Sequence, residues 1–197
     1  MFQVKESIKN YPYKLILGSS SPRRQELLKS LGFEFAIKPI NADESFPETL
    51  KGSEIPIYLA EKKANVFPDK LKDNELLITS DTVVWVNNQV LNKPENYEEA
   101  VKMLQLLSGK AHEVFTAVRL TSNIKHISFF DTTKVYFKEL KKEEIEYYVN
   151  NFNVYDKAGG YGVQDWIGYV GIDKIEGSFY NVMGLPVQEL YEELVKF

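Results

Sequence analysis

The chain has 197 residues, of which 44% are apolar and 26% charged, as in a globular protein with one core or with two lobes that share a sheet. Its net charge of −4 argues against broad nucleic-acid binding, although an acidic protein can hold a small anion in one basic pocket. Without cysteine there are no disulfides or thiolate-held metals, and no apolar run approaches the roughly 20 residues that span a bilayer. Residues 1–13 lack the apolar core of a signal peptide. We expect a cytoplasmic protein without nucleic-acid or membrane partners.

Strand and helix patterns alternate in the first half of the chain. Apolar runs and their periodicity predict strands over residues 14–19, 33–40 and 76–85 and a helix over residues 55–67. Pro22 suits the first turn of another helix after the first strand, and Gly32 can end that helix in the left-handed conformation. Asn87-Asn88 predicts a hairpin turn after the third strand.

The second half continues this alternation. Helix patterns cover residues 97–107 and 143–152, strand patterns cover residues 112–121 and 125–137, and a final helix starts at Pro186. Asn96 can cap the first of these helices, with Glu99 at the third helical position as in a capping box. The mixture of βα units and hairpins predicts an α/β fold with a mixed β-sheet and flanking helices, in one structural unit over residues 1–197.

The segment Gly18–Arg24 combines a strand end, three serines and two arginines. The first N–H groups of the following helix are unpaired and carry partial positive charge, which suits a phosphate. Ser19 adds a hydroxyl donor, and Arg23 and Arg24 add planar, permanently charged groups. The alternative is a serine that only caps the helix and arginines that are only solvated. The segment lacks the glycine-lysine-serine or glycine-lysine-threonine end of a P-loop.

Residues 79–82, Thr-Ser-Asp-Thr, form a polar quartet inside an apolar strand. In open α/β sheets, ligands bind beyond the carboxyl ends of strands, where such a carboxylate lies. Asp81 can hold Mg²⁺ through one oxygen and help to orient or deprotonate water. A lone Asp more often caps a turn, but Val83 and Val84 resume the strand, so the quartet needs another reason.

Three lysines lie near these segments: Lys63, Lys93 and Lys110. A triphosphate carries about four negative charges and therefore needs several cations or a metal. Lys63 follows apolar residues on a partly buried helix, whereas the glycine before Lys110 is explained by a helix end. With two histidines and no cysteine, a histidine-rich metal site is out of reach, and His112 is left without a role.

Residues 156–164 form a glycine-rich stretch, in which the glycines permit close approach of the backbone. Tyr161 can stack on a base, and Gln164 offers both a donor and an acceptor to a base edge. This combination predicts a nucleobase pocket, with a plain surface loop as the alternative.

Together these segments resemble the Maf-type nucleoside-triphosphate pyrophosphatases, also described as septum formation inhibitors. The matching segments run in family order over nearly the whole chain: 15–28, 43–44, 59–64, 80–84, 92–94, 107–114, 156–164 and 175–186. Gly18 stands where alanine is commoner in the family, and Asn92 where glycine is frequent. Neither departure removes a group that the implied chemistry needs.

The resemblance implies a Maf and inosine-triphosphatase-like α/β fold with two lobes and a cleft between them, a divalent metal cation (Mg, Mn or Co) and often a homodimer. The implied reaction is attack of water between the α and β phosphates. Carried over residue by residue, Asp81 is the proton acceptor and a metal ligand, and Asp43 and Glu44 belong to the acidic patch that helps to bind the metal. The implied polyphosphate-binding set is Ser19, Arg23, Arg24, Lys63, Lys93 and Lys157.

Within the family, the choice of base follows three positions, which are Arg23, Thr82 and Gln164 here. This set resembles the branch that acts on dTTP and UTP, and Gln164 can pair with a pyrimidine's carbonyl and N3–H. Three alternatives stay open. They are the same reaction on 7-methyl-GTP or another purine nucleotide, a phosphatase that releases orthophosphate, and a non-catalytic regulator that binds nucleotide or a cell-division protein.

Overall fold

The computed structural model describes residue 8 and residues 10–197, and in that part seven strands form one mixed sheet with helices around it. The strands are β1 (Lys14–Leu17), β2 (Phe35–Ile37), β3 (Glu75–Val86), β4 (Gln89–Leu91), β5 (Ala111–Thr121), β6 (His126–Phe137) and β7 (Ile172–Glu176). The helices are α1 (Pro22–Ser30), α2 (Glu54–Asn65), α3 (Tyr97–Leu107), α4 (Lys142–Asn151), α5 (Trp166–Gly171), α6 (Phe179–Met183) and α7 (Val187–Lys196), with a 3₁₀ turn at Ala158–Gly160. None of these helices combines the length and apolarity that a membrane crossing requires. The predicted α/β class with a mixed sheet is confirmed.

The strand order is β2-β1-β3-β5-β6-β7, with β4 also beside β3. β1 lies parallel to β2 and β3, whereas each neighbouring pair among β3, β5, β6 and β7 is antiparallel. The carboxyl end of β1 therefore lies beside the middle of β3, at the kind of sheet edge where open α/β proteins bind ligands.

The central strand β3 has a free edge in its middle. β1 pairs with the first part of β3 and β4 with its last three residues, both on the side away from β5. Between them, residues 79–83 have no strand of the described part of the chain beside them on that edge. The Gly18 N–H donates to the Ile78 carbonyl over 2.9 Å, and main-chain groups alternate along a strand. Those of Ser80 and Thr82 therefore point to the same free edge.

Three hydrophobic clusters pack on the sheet in the described part of the chain; the smallest lies between α2 and strands β3 and β5, and the two larger ones form two lobes. One core packs α3, α4 and α5 against the second half of β3 and contains Leu104 and Tyr148. The other packs α1 and α7 against β1 and the first half of β3 and contains Leu28 and Leu190. Met183 of α6 packs against both cores, which places this short helix between the lobes. The two-lobed arrangement that the resemblance implied is confirmed.

Three local predictions can be compared directly with the backbone. Asn87 and Asn88 have φ of 50° and 60°, the left-handed values of a two-residue hairpin turn, and Gly32 has φ of 87° after α1. Asn96 caps α3 by accepting from the Glu99 N–H over 2.9 Å. These predictions are confirmed, but the capping box is incomplete, because the Glu99 carboxylate accepts from the N–H of the residue before Asn96.

Other boundaries differ from the sequence-based expectation. The predicted strand over 33–40 is only Phe35–Ile37, because its partner β1 ends at Leu17, which is paired with Ile37. The helix predicted over 55–67 spans Glu54–Asn65. The short elements α5, β7 and α6 were not predicted, and β7 adds an antiparallel strand beside β6 at one end of the sheet.

Candidate functional site

A cleft of about 620 Å³ opens at the free edge of β3, beyond the carboxyl end of β1. Side chains from several distant segments of the chain border it. All predicted site residues except Asp43 are among them: Ser19, Arg23, Arg24, Glu44, Lys63, Asp81, Thr82, Lys93, Lys157 and Gln164. The fold therefore gathers into one place residues that the sequence scatters over more than two thirds of its length.

The turn between β1 and α1 presents hydroxyl and guanidinium groups to the cleft. Ser21 caps α1, since its Oγ accepts from the Arg24 N–H over 3.4 Å, and Ser19 Oγ accepts from the Ser21 N–H over 3.2 Å. Arg23 Nη1 lies 2.8 Å from Asp156 Oδ2 across the cleft. The capping alternative thus holds for Ser21, whereas Arg23 is anchored in an ion pair and is not merely solvated.

Arg24 is held in place by two hydrogen bonds. Its Nε donates to the Gly184 carbonyl over 2.8 Å, and its Nη2 donates to Thr82 Oγ1 over 3.0 Å. Burial lowers the pKa of this guanidinium, and the Asp81 carboxylate acts in the opposite direction. A guanidinium stays charged under all ordinary conditions, so Arg24 provides a fixed positive charge at the cleft.

Asp81 and Lys63 form an ion pair between β3 and α2. Lys63 Nζ lies 2.5 Å from Asp81 Oδ1, and Lys63 is only 8% exposed. Asp81 faces α2 because alternate side chains of β3 point to that helix, as Thr79 does when its hydroxyl donates to the Ala60 carbonyl over 2.7 Å. The second Asp81 oxygen, Oδ2, has no hydrogen-bond partner within the described part of the chain. One carboxylate oxygen is thus left for a ligand or a water molecule.

Glu44 extends this ion pair into a chain of alternating charges. Its Oε1 lies 3.2 Å from Lys63 Nζ and its Oε2 lies 2.9 Å from Lys93 Nζ. Burial acts to raise the pKa of Glu44, but the hydrogen bond from Lys93 and the charges of both lysines hold that pKa below its ordinary value. The order Asp81, Lys63, Glu44, Lys93 keeps each carboxylate next to a cation.

Two of the three predicted metal ligands suit a divalent cation together. Asp81 and Glu44 already share one cation, Lys63 Nζ, and Mg²⁺ in nucleotide sites needs only one or two carboxylates besides phosphates and water. Asp43 is turned away: its carboxylate accepts from Lys62 Nζ over 2.8 Å, and this bond holds the pKa of Asp43 far below its usual range. Among the described residues no three acidic or histidine side chains form a metal-binding group. The position of Asp43 does not support the prediction that it binds metal.

Lys157 borders the cleft, but its ammonium group is occupied by the protein. It donates to the Asn153 carbonyl, lies 2.9 Å from Asp156 Oδ1 and lies 3.5 Å from Asp165 Oδ2. Burial acts to raise the pKa of Asp156, whereas hydrogen bonds from Lys157 and Arg23 hold it below its ordinary value. Asp156, to which the sequence analysis gave no role, therefore ties Lys157 to Arg23 across the cleft.

The glycine-rich stretch forms the wall opposite α1. Gly159 has φ of 70° and a Cβ there would lie 3.1 Å from Val84, so only glycine fits this close approach. Gln164 donates to Asp165 Oδ1 over 3.3 Å, and its carbonyl oxygen is buried without a hydrogen-bond partner in the described structure. Tyr161 is 5% exposed and packs edge-on against Phe137, which leaves little of its ring for stacking on a base. Gln164, and not Tyr161, has polar capacity left for a ligand.

His112 is a structural residue beneath this wall. It is 2% exposed, its Nε2 lies 2.6 Å from the Tyr161 hydroxyl, and its ring stacks on Phe137. Burial lowers the pKa of His112 to about 4. The residue that the sequence left without a role thus belongs to the core of one lobe.

The lowered pKa of His112 predicts in which direction the stability of the protein changes with pH. Because its pKa falls from the ordinary 6.5 to about 4 on folding, its contribution is complete above pH 6.5 and is lost as the pH falls toward 4. We expect this group to lower the free energy of unfolding by about 2 to 3 kcal/mol between about pH 7 and pH 4.5. In His112→Gln the side chain does not titrate, so this fall in the free energy of unfolding should be absent when both proteins are unfolded with urea. Identical pH dependence in both proteins would contradict the prediction.

The fold and the cleft define a class: an α/β protein with several cationic side chains and a carboxylate pair arranged for a small polyanionic ligand. Comparison with known proteins agrees. Residues 14–197 match the model of the family described as "Maf: Maf-like protein", and the chain belongs to this family.

Curated relatives cover nearly the whole chain. A protein of Bacteroides thetaiotaomicron is 51% identical over 93% of this chain and 96% of its own length, and one of Parabacteroides distasonis is 49% identical over 94% and 96%. A protein of Flavobacterium johnsoniae is 48% identical over 97% of both chains. All three are named dTTP/UTP pyrophosphatase. The solved Staphylococcus aureus Ham1 protein is 12% identical over 63% of this chain and 71% of its own, with a TM-score of 0.44, a likeness too distant to support an argument.

Proposed function

We propose that this chain hydrolyses dTTP and UTP to the nucleoside monophosphate and pyrophosphate. The observation that carries the proposal is the Asp81–Lys63–Glu44 arrangement, which places a partly unpaired carboxylate at a cleft lined with cationic side chains. The names of relatives that are about half identical over nearly their whole length support the same activity.

The phosphates would lie along the cationic side of the cleft. Ser19, Arg23 and Arg24 approach it from the β1–α1 turn, and Lys63 and Lys93 approach it from the other side. Lys93, whose side chain is 50% exposed, is free to turn from Glu44 toward a phosphate. Lys157 would act mainly by holding Asp156, and with it Arg23, in position. These cations would offset the roughly four negative charges of a triphosphate.

Asp81 would accept the proton of the attacking water. Lys63 fixes Asp81 Oδ1, which leaves Oδ2 to orient a water molecule toward the α-phosphorus. The family resemblance implies a divalent cation, Mg, Mn or Co, and Asp81 and Glu44 are the residues that would hold it. When bound, such an ion neutralises negative charge on the phosphates and on the departing pyrophosphate. Lys63 lies beside both carboxylates and limits their mutual repulsion.

The base would lie against the glycine-rich wall. Gln164 has an amide N–H₂ near Asp165 and a carbonyl oxygen without a partner in the described structure. An amide offers one donor and one acceptor side by side, which match a carbonyl and the N3–H of uracil or thymine. Thr82, the other base-selecting position that the resemblance implies besides Arg23, borders the same cleft and accepts from Arg24 Nη2.

A product assay tests the proposed activity. The purified protein and Mg²⁺ are incubated with the common ribo- and deoxynucleoside triphosphates and 7-methyl-GTP, and pyrophosphate and monophosphate are measured together. Both products from UTP and dTTP are the expected result. Orthophosphate as the product would indicate a phosphatase, turnover of 7-methyl-GTP alone would indicate the other branch, and no turnover with Mg²⁺, Mn²⁺ or Co²⁺ would favour the regulator.

Replacing Gln164 with Glu tests the choice of base. We expect kcat/KM for UTP and dTTP to fall by about tenfold to a hundredfold, because a carboxylate beside Asp165 cannot donate to the base and adds a like charge. Turnover of nucleotides that the wild type uses poorly is the internal control and should change much less. An equal loss on every nucleotide would show that Gln164 does not select the base.

A further inference from the structure

The segment Ser178–Gly184 belongs to the family-like motif near the end of the chain, yet the proposed reaction does not use it. It contains α6, whose N-cap is Ser178, and it ends at Gly184. Several of its atoms contact the residues that hold Arg24. The segment is therefore connected to the cleft through main-chain atoms as well as through side chains.

Two main-chain carbonyls of this segment reach the Arg24 environment. The Gly184 carbonyl accepts from Arg24 Nε over 2.8 Å. The Asn181 carbonyl accepts from Thr116 Oγ1 over 2.8 Å, and Thr116 Oγ1 lies 3.0 Å from Thr82 Oγ1. One segment thus contacts Arg24 directly and also through two hydroxyl groups.

The direction of every hydrogen bond in this series is fixed by proton counting. Thr116 has one hydroxyl proton, which it donates to the Asn181 carbonyl, so it must accept at its contact with Thr82. Thr82 then donates to Thr116 and accepts from Arg24 Nη2. The chain runs one way, from Arg24 through Thr82 and Thr116 to the Asn181 carbonyl.

The end of this chain is locked to the sheet. Asn181 is fully buried, and its Nδ2 donates to the Val114 carbonyl over 3.0 Å and to Thr133 Oγ1 over 2.9 Å. Thr133 Oγ1 in turn donates to the Ser178 carbonyl over 3.0 Å. The acceptor for Thr116 is therefore held by β5 and β6 and has little freedom to move.

We propose that Thr116 is a positioning residue, which acts through Thr82 and the locked Asn181 carbonyl to aim the Arg24 guanidinium at the substrate's phosphates. The inference rests on the proposed function, because it takes Arg24 as a phosphate-binding residue. With Nε fixed by Gly184 and one Nη2 hydrogen fixed by Thr82, the guanidinium plane is set, and its remaining N–H groups, which bond to no described residue, can face a phosphate. A charged group that is already oriented loses less entropy on binding its ligand.

The test is a double-mutant cycle between Thr116 and Arg24. Thr116→Val keeps the shape of the side chain but removes the acceptor for Thr82, and we expect kcat/KM for UTP to fall about tenfold. In the Arg24→Lys background, which has no planar fork to orient, the same change should cost less than about twofold. Thr116→Ser keeps the hydroxyl and should therefore retain most of the wild-type kcat/KM.

Thr79→Val is the matched control for the loss of a buried threonine hydroxyl. Thr79 lies on β3 and donates to the Ala60 carbonyl over 2.7 Å, without a contact to Arg24. Its effect on kcat/KM, whatever its size, should multiply with that of Arg24→Lys. If the Thr116→Val and Arg24→Lys losses also multiply, Thr116 acts independently of Arg24 and the proposal is wrong.

The same cycle measured by binding separates this inference from the proposed function. Calorimetry with the α,β-imido analogue of dUTP gives affinities for all four proteins without hydrolysis. If the wild type binds the analogue but releases no pyrophosphate from UTP or dTTP, the proposed function fails. A coupled loss of affinity in the two variants would still support positioning by Thr116. Independent losses of affinity would overturn the positioning role alone, and no binding to the wild type would overturn both.

Discussion

Asp81→Asn is expected to lower kcat for pyrophosphate release from UTP by about a hundredfold to ten-thousandfold. An amide has nearly the shape of the carboxylate but cannot accept the proton of water. Its oxygen can still accept from Lys63, so the ion-pair position keeps a hydrogen bond and the fold should persist. Removing one negative charge beside the cationic cleft should leave affinity for the α,β-imido analogue unchanged or higher. Steady-state kinetics and calorimetry measure the two effects separately.

Asp73→Asn is a matched control for this change. Asp73 lies just before β3 and accepts from Asn123 on the surface, so the same chemical replacement there should leave kcat at the wild-type value. Turnover by Asp81→Asn above about a tenth of the wild-type rate would contradict a role in proton transfer, for which a larger loss is expected. Loss of both turnover and analogue binding would point to damage of the whole cleft.

Lys63→Met is expected to reduce both stability and activity. Met has similar length but no charge, so Asp81 loses its only ion-pair partner among the described residues and Glu44 keeps only Lys93. We expect the free energy of unfolding to fall by about 1 to 3 kcal/mol, less than for a fully buried pair because the Glu44 side chain is half exposed. Activity should fall about a hundredfold or more, since a cation at the phosphates is lost.

The stability deficit of Lys63→Met should depend on pH with a defined sign. Lys63 helps to hold the pKa of Glu44 below its ordinary value, so without this cation the charged form of Glu44 is disfavoured in the folded protein and its pKa there rises. A carboxyl whose pKa is higher in the folded state stabilises the fold at low pH and loses that effect as the pH rises. The deficit against wild type, measured by urea unfolding, should therefore be smaller at about pH 4.5 than at about pH 7.

Lys93→Met is the control for the loss of a lysine next to Glu44. Its side chain is 50% exposed, and such surface ion pairs contribute about 0 to 1 kcal/mol. We therefore expect its stability deficit to be clearly smaller than that of Lys63→Met at about pH 7. Equal deficits for the two variants would show that Lys63 is an ordinary surface lysine.

The sequence predicted those parts of the fold that local chemistry determines. The Asn87-Asn88 turn and the glycine after α1 depend on backbone conformations that few residues adopt, and both were predicted correctly. The helix α6 has only five residues, too few for a periodic pattern, and its position depends on the Ser178 cap and on contacts with Thr133. Such short elements are set by tertiary contacts, which a single sequence does not display.

In the candidate site, too, residues in family-like motifs were predicted, whereas those that depend on tertiary contacts were not. Motif resemblance named Ser19, Arg24 and Lys63, because their segments keep a family-like order, and the structure places all three at the cleft. Thr116 was missed because a threonine on a strand has no signal of its own, and its partners lie 34 and 65 residues away in the chain. Asp43 was included because the resemblance implies an acidic patch over Asp43 and Glu44, but these two adjacent residues of an irregular segment pair with different lysines.

The free edge of β3 makes part of this cleft independent of side-chain identity. The main-chain N–H groups of Ser80 and Thr82 point there because β1 stops and β4 starts where they do, and every non-proline residue carries the same donor. An alanine scan would not detect the contribution of these N–H groups to activity, since every variant keeps them. Replacing a single main-chain amide by an ester during chemical synthesis removes one N–H and would detect it. In a sequence comparison, the contribution of these main-chain groups would appear as conserved strand lengths, because any non-proline residue supplies the same donor.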